Sequence, residues 1–477
     1  MVQSLTQADP LALVRAALGG RDDVWIVGGA VRDRLLGRGA RRPDLDIVLA
    51  GDVAEAAQLV RRQAPHGTAA FALSDTFGAW RLVGPEQAWQ VDVSPLLGGT
   101  LDADLRQRDL TVNAIAEPLS GGALVDPTGG LADLERRVLR LAGPRAFSDD
   151  PLRSLRLVRL AVELDFDVDP QTLEAAAQEA GRLDGVAAER IFSELRRTIV
   201  APGALRGLEL LHKTGATAAV LGELDALRGI EQTAYHHLDA HDHTVEVLER
   251  VIGLEADPAA VVGADLAARV DLLLAEPLSD ELTRAGGLRL GAVFHDIAKP
   301  QTRAVAPDGR VGFPGHDREG AVMTRAILAR LRTSERLRAH VAALTQHHLR
   351  LGFLVHAAPL DRRQIHRYLV ACGPVAADVT LLSVCDRLAT RGRKADLAIA
   401  SHLRVSAPVL SAALDHRDAG AAEPMIRGDA LAAALGLRPG PQIGELLAAI
   451  AEAQYAGEVT DVEGALACAR DTLAARD

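Results

Sequence analysis

Two aspartates, one residue apart, are the side chains in this sequence whose spacing most clearly suggests chemistry. Asp44 and Asp46 open an apolar run, Asp44 to Leu49, that is typical of a β-strand. Alternate residues of a strand point to one face of a sheet, so the two carboxylates should converge. Convergent carboxylates on a rigid strand suit one or two Mg²⁺ ions beside substrate phosphates. The pattern therefore predicts a magnesium site on this strand.

A pair of glycines upstream of the aspartates could bind those phosphates. Gly28 and Gly29 lie between a short apolar strand, Val24 to Val27, and a helix-like run. Glycines at such a turn let backbone N–H groups approach a phosphate closely, and the helix N-terminus adds positive potential. Arg32, one turn into the helix, can direct its guanidinium at the same anion. Together with the carboxylates, these groups describe a nucleotidyl-transfer site.

These two segments also resemble a known family. The runs Gly28 to Asp33 and Asp44 to Asp46 are similar to the head motifs of class II tRNA nucleotidyltransferases (CCA-adding enzymes) and of related bacterial poly(A) polymerases. The resemblance implies an enzyme that adds C, A or both to the 3′ end of tRNA from CTP and ATP, without a nucleic-acid template and with Mg²⁺. In that case Asp44 and Asp46 are catalytic, and Gly28, Gly29 and Arg32 bind the nucleotide.

A second motif lies between Asp104 and Ala114. It is similar to the family's second motif, although glutamine and leucine replace its usual first arginine and its phenylalanine. The resemblance implies that Arg108 contacts the bound nucleotide and that Asp109 and Asn113 brace its ribose side by hydrogen bonds. Taken alone, the stretch is more typical of a salt-bridged strand that leads into a helix, and only the first motif favours the nucleotide site.

A third motif, Phe147 to Leu160, has the pattern of a helix with an acidic start. Ser148 is a plausible N-cap, and Asp150 and Arg153 are three residues apart, which predicts that they share one helix face. A carboxylate beside a guanidinium offers an acceptor and donors to the Watson–Crick edge of a base. The pair could therefore distinguish C from A without a template strand.

In the family, this third motif selects the base. The resemblance assigns base selection to Asp150 and Arg153, and phosphate or base contacts to Arg156 and Arg159. Asp149 stands where a glutamate is usual. The alternative interpretation of the stretch is an N-capped amphipathic helix with solvated arginines.

Histidines and aspartates between residues 236 and 390 predict a second metal centre. Neutral imidazoles and carboxylates from separate helices suit divalent ions. The candidate ligands are His243, His295, Asp296 and Asp386. His316, with His347 or His348, would allow a second ion in the same region.

The order of these ligands resembles the HD superfamily of metal-dependent phosphohydrolases, and Leu290 to Lys299 is similar to its central helix. The tail, Met425 to Gly444, is similar to the segment that follows the HD region in many relatives. In bacterial CCA-adding enzymes, such a domain is an active phosphatase or phosphodiesterase, or a retained scaffold. Because all four expected ligands are present, the resemblance favours a metal-competent site.

Composition limits the possible partners. The formal net charge is −11, which excludes attraction of nucleic acid by the molecule as a whole. RNA would instead meet the arginine-rich stretch between residues 136 and 197. The three widely spaced cysteines form no zinc or disulfide pattern, which fits the cytoplasm. We also expect no membrane span, because no apolar run reaches the roughly 18–20 residues that a span needs; the oligomeric state is not indicated.

The order of the patterns predicts an α+β fold class. A small mixed-sheet nucleotidyltransferase head (residues 1–140) is followed by an all-helical neck or RNA-binding region (141–230), a helical HD-type metal-binding domain (231–400) and a helical tail (401–477). Asp92, on a later strand of the head, could complete the magnesium site. It could equally be a polar residue on a half-exposed strand.

One departure from the family bears on the product. Members that add all of CCA usually carry, after the strand of Asp92, a flexible segment with an Arg-x-Glu-x-x-Tyr-like core. Here Ser94 to Asp102 is short and contains neither arginine nor tyrosine. A similar shortening is seen in relatives that add only the two cytidines, so we hypothesise that this enzyme stops at CC.

Three other functions remain open at this point. The first is a poly(A) polymerase, and the second is an HD phosphohydrolase with a vestigial head. The third is a non-catalytic RNA-binding protein, against which the intact carboxylate pair and the base-selecting motif argue.

Overall fold

The computed structural model describes residues 9–39, 44–74, 78–233, 235–392, 394–420 and 424–475. The chain divides into two compact units, Met1–Val220 and Leu221–Asp477. Buried hydrophobic side chains lie in both. The finer division into four parts stays a prediction.

A six-stranded mixed sheet organises the N-terminal part of the first unit. Its strands are β1 (Val24–Val27), β2 (Asp44–Leu49), β3 (Ala69–Ser74), β4 (Ala79–Val83), β5 (Gln90–Pro95) and β6 (Glu117–Pro118). Their spatial order is β3-β4-β5-β2-β1-β6. β2 and β5 run parallel, and the other neighbours run antiparallel. The strands predicted at Val24 to Val27 and at Asp44 to Leu49 are confirmed with the same bounds.

Helices cover this sheet and connect its strands. They are α1 (Pro10–Leu18), α2 (Gly29–Leu35), α3 (Val53–Gln63), α4 (Leu101–Arg106) and α5 (Gly130–Arg136). The N-terminal N–H groups of α3 are capped by Asp52, whose carboxylate accepts from Glu55 N–H at 2.9 Å. Ala56, Ala57 and Val60 on its inner face are fully buried, which fits an amphipathic helix lying on the sheet.

The rest of the first unit is helical, as predicted, apart from one short strand pair. Its helices are α6 (Ala146–Asp149), α7 (Leu152–Leu164), α8 (Pro170–Glu179), α9 (Ala188–Val200), α10 (Ala204–Lys213) and α11 (Ala216–Val220). β7 (Val138–Leu139) and β8 (Asp167–Val168) pair in parallel. Strands of two residues show no periodicity, so the sequence could not indicate them.

The start of the third motif differs from the expected N-capped helix. Ser148 lies inside α6, and its hydroxyl donates to the Arg145 carbonyl. Asp150 has an extended backbone (φ −145°, ψ 101°). Pro151 explains the break, because proline disfavours helical geometry at the residue before it. Asp150 therefore lies outside α7, and it does not share a helix face with Arg153.

The second unit is a helical array with two small hairpins. Its first elements are α12 (Gly222–Asp225), α13 (Ala240–Ala256), α14 (Pro258–Val262), α15 (Ala264–Ala275), β9 (Pro277–Ser279), β10 (Leu282–Thr283), α16 (Arg284–Phe294), α17 (Lys299–Thr302), β11 (Ala304–Val305) and β12 (Val311–Gly312). The remaining helices are α18 (His316–Arg330), α19 (Glu335–His347), α20 (Arg350–Leu354), α21 (Arg362–Cys372), α22 (Ala376–Ala389), α23 (Ala395–Ala419), α24 (Gly428–Leu435), α25 (Pro441–Ala456) and α26 (Val462–Ala474).

Helix α16 lies at the centre of this unit, packed against α13, α19 and α22. Glycine allows the close approach of α19, because a Cβ at Gly291 would lie 2.7 Å from Leu344 Cδ1. The helix ends at Phe294, so His295 and Asp296 follow its last turn rather than lying within it. Both side chains are buried.

Two segments of the described chain are long and apolar enough to cross a membrane by length and composition, Arg362–Ala389 and Ala395–Ala419. The expectation that no segment reaches this length is therefore wrong. The first segment comprises α21 and α22, and 78% of its apolar window is buried inside the protein. Core helices of soluble proteins pass the same test, so the two segments are weak evidence for a membrane.

Candidate active site

The glycine turn and the aspartate strand meet at one point of the sheet. Val27, the last residue of β1, pairs with Asp46 of β2. Gly28 then turns the chain with a φ of +75°, which disfavours residues that carry a Cβ. A Cβ at Gly28 would lie 2.7 Å from Asp46 Oδ2 and 3.6 Å from Arg108 Nη1. The turn, the carboxylate and the arginine of the second motif are thus direct neighbours.

The two carboxylates of β2 have different surroundings. Asp44 is exposed, and its Oδ1 accepts a hydrogen bond from Gln90 Nε2 at 3.3 Å. Burial and the negative charge of Asp44 raise the pKa of Asp46 to about 6. A carboxylate in this position gains from a cation that both aspartates share, so the pair fits a divalent ion.

The third carboxylate, Asp92, lies beside Asp46 in the register of β5 and β2. Its carboxylate is also bound by an arginine of the neighbouring strand. Arg81 of β4 donates to it twice, from Nε at 2.8 Å and from Nη2 at 2.7 Å. Asp92 therefore forms a bidentate ion pair with Arg81, and the sequence pattern gave no indication of this partner.

A chain of buried hydrogen bonds joins the first motif to the second and third. Arg32 Nη1 donates to Asn113 Oδ1 at 2.7 Å. Asn113 Nδ2 donates to Asp109 Oδ1 at 3.0 Å, and Arg156 Nε donates to Asp109 Oδ2 at 3.0 Å. The arginine predicted to meet the triphosphate is thus held in place by the residues predicted to brace the ribose.

The charge state of this network is fixed by its own contacts. Burial would raise the pKa of Asp109, but the charge of Arg156 and the hydrogen bonds from Asn113 and Leu110 N–H hold it well below its usual range. The Asp109 carboxylate in turn raises the pKa of Arg156. Both shifts favour the charged forms, so the two groups form an ion pair at neutral pH.

Arg108 of the second motif is oriented by a buried aspartate. Arg108 donates to Asp104 Oδ2 from Nε at 3.1 Å and from Nη2 at 2.9 Å. The other oxygen of Asp104 accepts from Leu97 N–H at 3.1 Å. This places one face of Arg108 toward Gly28 and Asp46.

The two residues predicted to select the base are held separately. Arg153 Nη1 donates to the backbone carbonyls of Gln107 at 2.8 Å and Ala146 at 3.2 Å. Asp150 accepts from Leu152 N–H at 3.1 Å and from Arg190 Nη2 at 2.8 Å. Arg190 lies on α9, and it was singled out in the sequence only as part of a basic region.

Arg159 is placed apart from the other predicted nucleotide-binding residues. It is 5% exposed, and it donates to Glu194 Oε2 at 2.5 Å and to Glu163 Oε2 at 2.7 Å. These carboxylates compensate the positive charge of Arg159 inside the helical part of the first unit. The geometry therefore favours a role in holding α7 to α9 over the contact that the resemblance assigned to it.

The predicted ligands of the second unit converge around Asp296. Asp296 Oδ2 lies 3.0 Å from His295 Nε2, and Oδ1 lies 3.3 Å from His316 Nε2. His243 Nε2 lies 3.1 Å from Asp386 Oδ1. The predicted ligands form two groups, and within each group the ligand atoms lie within 4.8 Å of one another. The first group is His243, His295 and Asp386, and the second is Asp296, His316 and His348.

Backbone carbonyls orient three of these histidines toward the cluster. The Nδ1 atoms of His295, His316 and His348 lie 2.6 to 2.8 Å from the carbonyl three residues before each ring. Among the described residues, the buried Nε2 of His348 has no hydrogen-bond partner, and the buried Nε2 of His295 lies 3.0 Å from Asp296 Oδ2 without the angle of a regular hydrogen bond. Unpaired buried nitrogens of this kind fit metal ligands, whose second ring nitrogen is usually hydrogen-bonded.

The structure also decides between the two neighbouring histidines. His348 faces the cluster, and burial lowers its pKa to about 4, which keeps the ring in its neutral, metal-binding form. His347 instead accepts from Arg350 Nε at 3.4 Å. Lys299 Nζ lies 2.5 Å from Asp296 Oδ2. In the sequence, this lysine is recognisable only as part of a helix.

Comparison with known proteins agrees with this arrangement. Residues 24–140 match the family model of the poly A polymerase head domain, and residues 165–227 match that of a probable RNA- and SrmB-binding site of polymerase A. An A-adding tRNA nucleotidyltransferase of Deinococcus radiodurans is 38% identical over 441 residues, which is 91% of this chain and 92% of the relative. The chain belongs to the tRNA nucleotidyltransferase family.

Other members and structures are similarly related. A CC-adding tRNA nucleotidyltransferase of Thermus thermophilus is 35% identical over 93% of this nucleotidyltransferase and 92% of the relative. The Thermotoga maritima CCA-adding enzyme complexed with tRNA has the same fold, with a TM-score of 0.61 and 20% identity over 98% of this chain and 96% of that one. The predictions of family, fold class and enzyme class are confirmed, and enzymes of this family use divalent metal ions.

We expect Gly28→Ala to lower nucleotidyl transfer by this nucleotidyltransferase at least about 100-fold, because the added methyl displaces the Asp46 carboxylate. The measurement is pyrophosphate release at saturating nucleotide, with circular dichroism to verify folding. Gly37→Ala is the matched control. It has the same kind of positive φ (+66°), but a Cβ there meets nothing within 4 Å. Equal losses in both variants would contradict the close approach as the cause.

Proposed function

We propose that this enzyme adds cytidines to the 3′ end of tRNA from CTP, without a template and with Mg²⁺. The observation that carries the proposal is the close approach of the Gly28 turn to Asp46, whose neighbour on the same face of β2 is Asp44. Relatives named for A addition and for CC addition support the substrate class. Since the substrates are tRNA and nucleoside triphosphates, we expect the protein to act in the cytoplasm.

The chain supplies binding, orientation and charge for this reaction. A Mg²⁺ ion held by Asp44 and Asp46 would polarise the α-phosphate and lower the pKa of the attacking 3′-hydroxyl. Gly28 and Gly29 leave room for the triphosphate beside the carboxylates, and Arg32 offers it a guanidinium fixed by Asn113. Because these groups are already in position, little reorganisation is needed when charge develops.

We assign the base and the sugar to the second and third motifs. Asp150 would accept from the exocyclic amino group of the base, and Arg153 would donate to a ring acceptor. Arg108 lies beside the glycine turn, so it can reach the nucleotide. Asp109 and Arg156 would hold this side of the site in shape through their ion pair, whose aspartate is buried.

The restriction to CC addition rests on the segment after β5. β5 ends at Pro95, a single 3₁₀ turn follows at Leu97–Gly99, and α4 begins at Leu101. The Leu97 N–H is bound by the buried Asp104. No room remains between these described elements for the flexible segment of enzymes that add all three nucleotides, so we propose that the terminal A comes from a second enzyme.

We expect a tRNA lacking its 3′ end to gain two residues and no more when CTP and ATP are both supplied. The measurement is product length on a sequencing gel, with each nucleotide alone and together. A full CCA end would reject the restriction and keep the family assignment. Long products from ATP alone would instead identify a poly(A) polymerase.

We expect Asp44→Ala to abolish nucleotide addition, by at least about 1,000-fold, because one of two ligands for the catalytic metal is lost. Binding of tRNA, measured by filter retention, should stay nearly unchanged. Glu174→Ala, which removes an exposed acid elsewhere in the same unit, serves as the control. Retained addition in the Asp44 variant would refute the metal role.

We also propose a metal-dependent phosphohydrolase site of HD type in the second unit. The specific observation is that the ligand atoms of two groups around Asp296 lie within 4.8 Å of one another, and that the buried Nε2 of His348 has no hydrogen-bond partner among the described residues. Divalent ions held by the two groups around Asp296 would activate water and bind a phosphate ester. Lys299 adds a positive charge that can hold the substrate's phosphate.

We expect hydrolysis of bis(p-nitrophenyl) phosphate to survive Asp44→Ala and to be lost in His295→Ala. Metal content by mass spectrometry should fall in the histidine variant alone. The exposed His356, changed to Ala, controls for the loss of an imidazole. Hydrolysis that follows Asp44 rather than His295 would remove this second function.

A further inference from the structure

Two arginines of helix α9 make similar contacts with the segment that carries the third motif. Arg190 and Arg197 are two turns apart, so they lie on one face of the helix. Arg190 Nη2 donates to Asp150 Oδ2 at 2.8 Å. Arg197 donates to both oxygens of Glu163, at 2.8 and 3.0 Å. The two guanidiniums are about half exposed, at 55% and 48%.

Only one of these ion pairs reaches a residue assigned to the base. Asp150 lies outside α7, on extended backbone, so the helix does not fix its side chain. One oxygen is held by Leu152 N–H at 3.1 Å, and Arg190 holds the other. The position of the Asp150 carboxylate therefore depends on helix α9 as well as on its own segment.

The partner of Asp150 in base selection is anchored independently. Arg153 Nη1 binds the carbonyls of Gln107 and Ala146, and its other two guanidinium nitrogens have no partner among the described residues. Cytosine and adenine each present an amino donor beside a ring acceptor, but at different distances from the sugar. An acceptor and a donor with fixed separation can discriminate between them, because the wrong base leaves a buried group unpaired.

We propose that Arg190 is a specificity-determining positioning residue, whose ion pair with Asp150 fixes the carboxylate that reads the amino group of the incoming base. The inference rests on the proposed nucleotidyl transfer and on the assignment of Asp150 to the base. An ion pair this exposed adds little to stability. Its loss should therefore change which nucleotide is accepted rather than whether the protein folds.

The test compares Arg190→Ala with Arg197→Ala. Each variant removes one arginine from the same face of α9 and breaks one ion pair to the same segment, so both lower the positive charge near tRNA equally. We expect the ratio of kcat/KM for CTP to that for ATP to fall about tenfold in the Arg190 variant, on tRNA lacking its 3′ end. The Arg197 variant should keep the wild-type ratio, although the KM for tRNA can rise in both.

Two further variants separate positioning from a general effect. Arg190→Lys keeps the charge and should restore part of the discrimination, and Arg190→Gln replaces Arg190→Ala if that variant does not fold by circular dichroism. In an Asp150→Asn background, Arg190→Ala should change the ratio no further, because the two residues act through one contact.

Several results would overturn the inference. An unchanged ratio in Arg190→Ala, an equal change in Arg197→Ala, or an additive effect in the Asp150→Asn background would each remove the positioning role. Failure of the underlying function is distinguishable, since the wild-type protein would then add no nucleotide to tRNA at all.

Discussion

The site depends on the close approach of one glycine to one carboxylate. The pairing of β1 with β2 sets Val27 opposite Asp46, so the next residue must turn the chain directly beside that carboxylate. Glycine is required here for two reasons: the φ is +75°, and a Cβ would lie only 2.7 Å from Asp46 Oδ2. Arg108 also lies at this turn, and burial and the charge of Asp44 raise the pKa of Asp46, a cost that a shared cation would relieve.

The rest of the first unit holds this centre in register with the base-selecting segment. The ion pair of the buried Asp109 with the half-buried Arg156 ties α7 to the second motif, and Asn113 extends that tie to Arg32. This pair is costly to break, because without Arg156 the buried Asp109 carboxylate would be an uncompensated charge. The residues that we propose for the phosphate and the ribose therefore belong to one hydrogen-bonded framework, whereas the Asp150 carboxylate is bound from outside it by Arg190 of α9.

Much of this arrangement followed from the sequence. Alternation in β2 predicted the convergent aspartates, and the glycines marked the turn, because both signals are local. The uses of Arg81, Glu194 and Arg190 did not follow, because each side chain finds its carboxylate or guanidinium across different elements. The extended backbone at Asp150 has a local signal in Pro151, but proline equally suits the first turn of a helix, so the signal is ambiguous.

The most direct measurement is a crystal structure with Mn²⁺ and a CTP analogue that cannot transfer its nucleotide, with anomalous scattering to locate the ions. The account predicts an ion at about 2.0–2.2 Å from oxygens of both Asp44 and Asp46 and from a phosphate oxygen, beside the Gly28 turn. An ion bound by the phosphates alone, or by Asp92 with neither residue of β2, would contradict it.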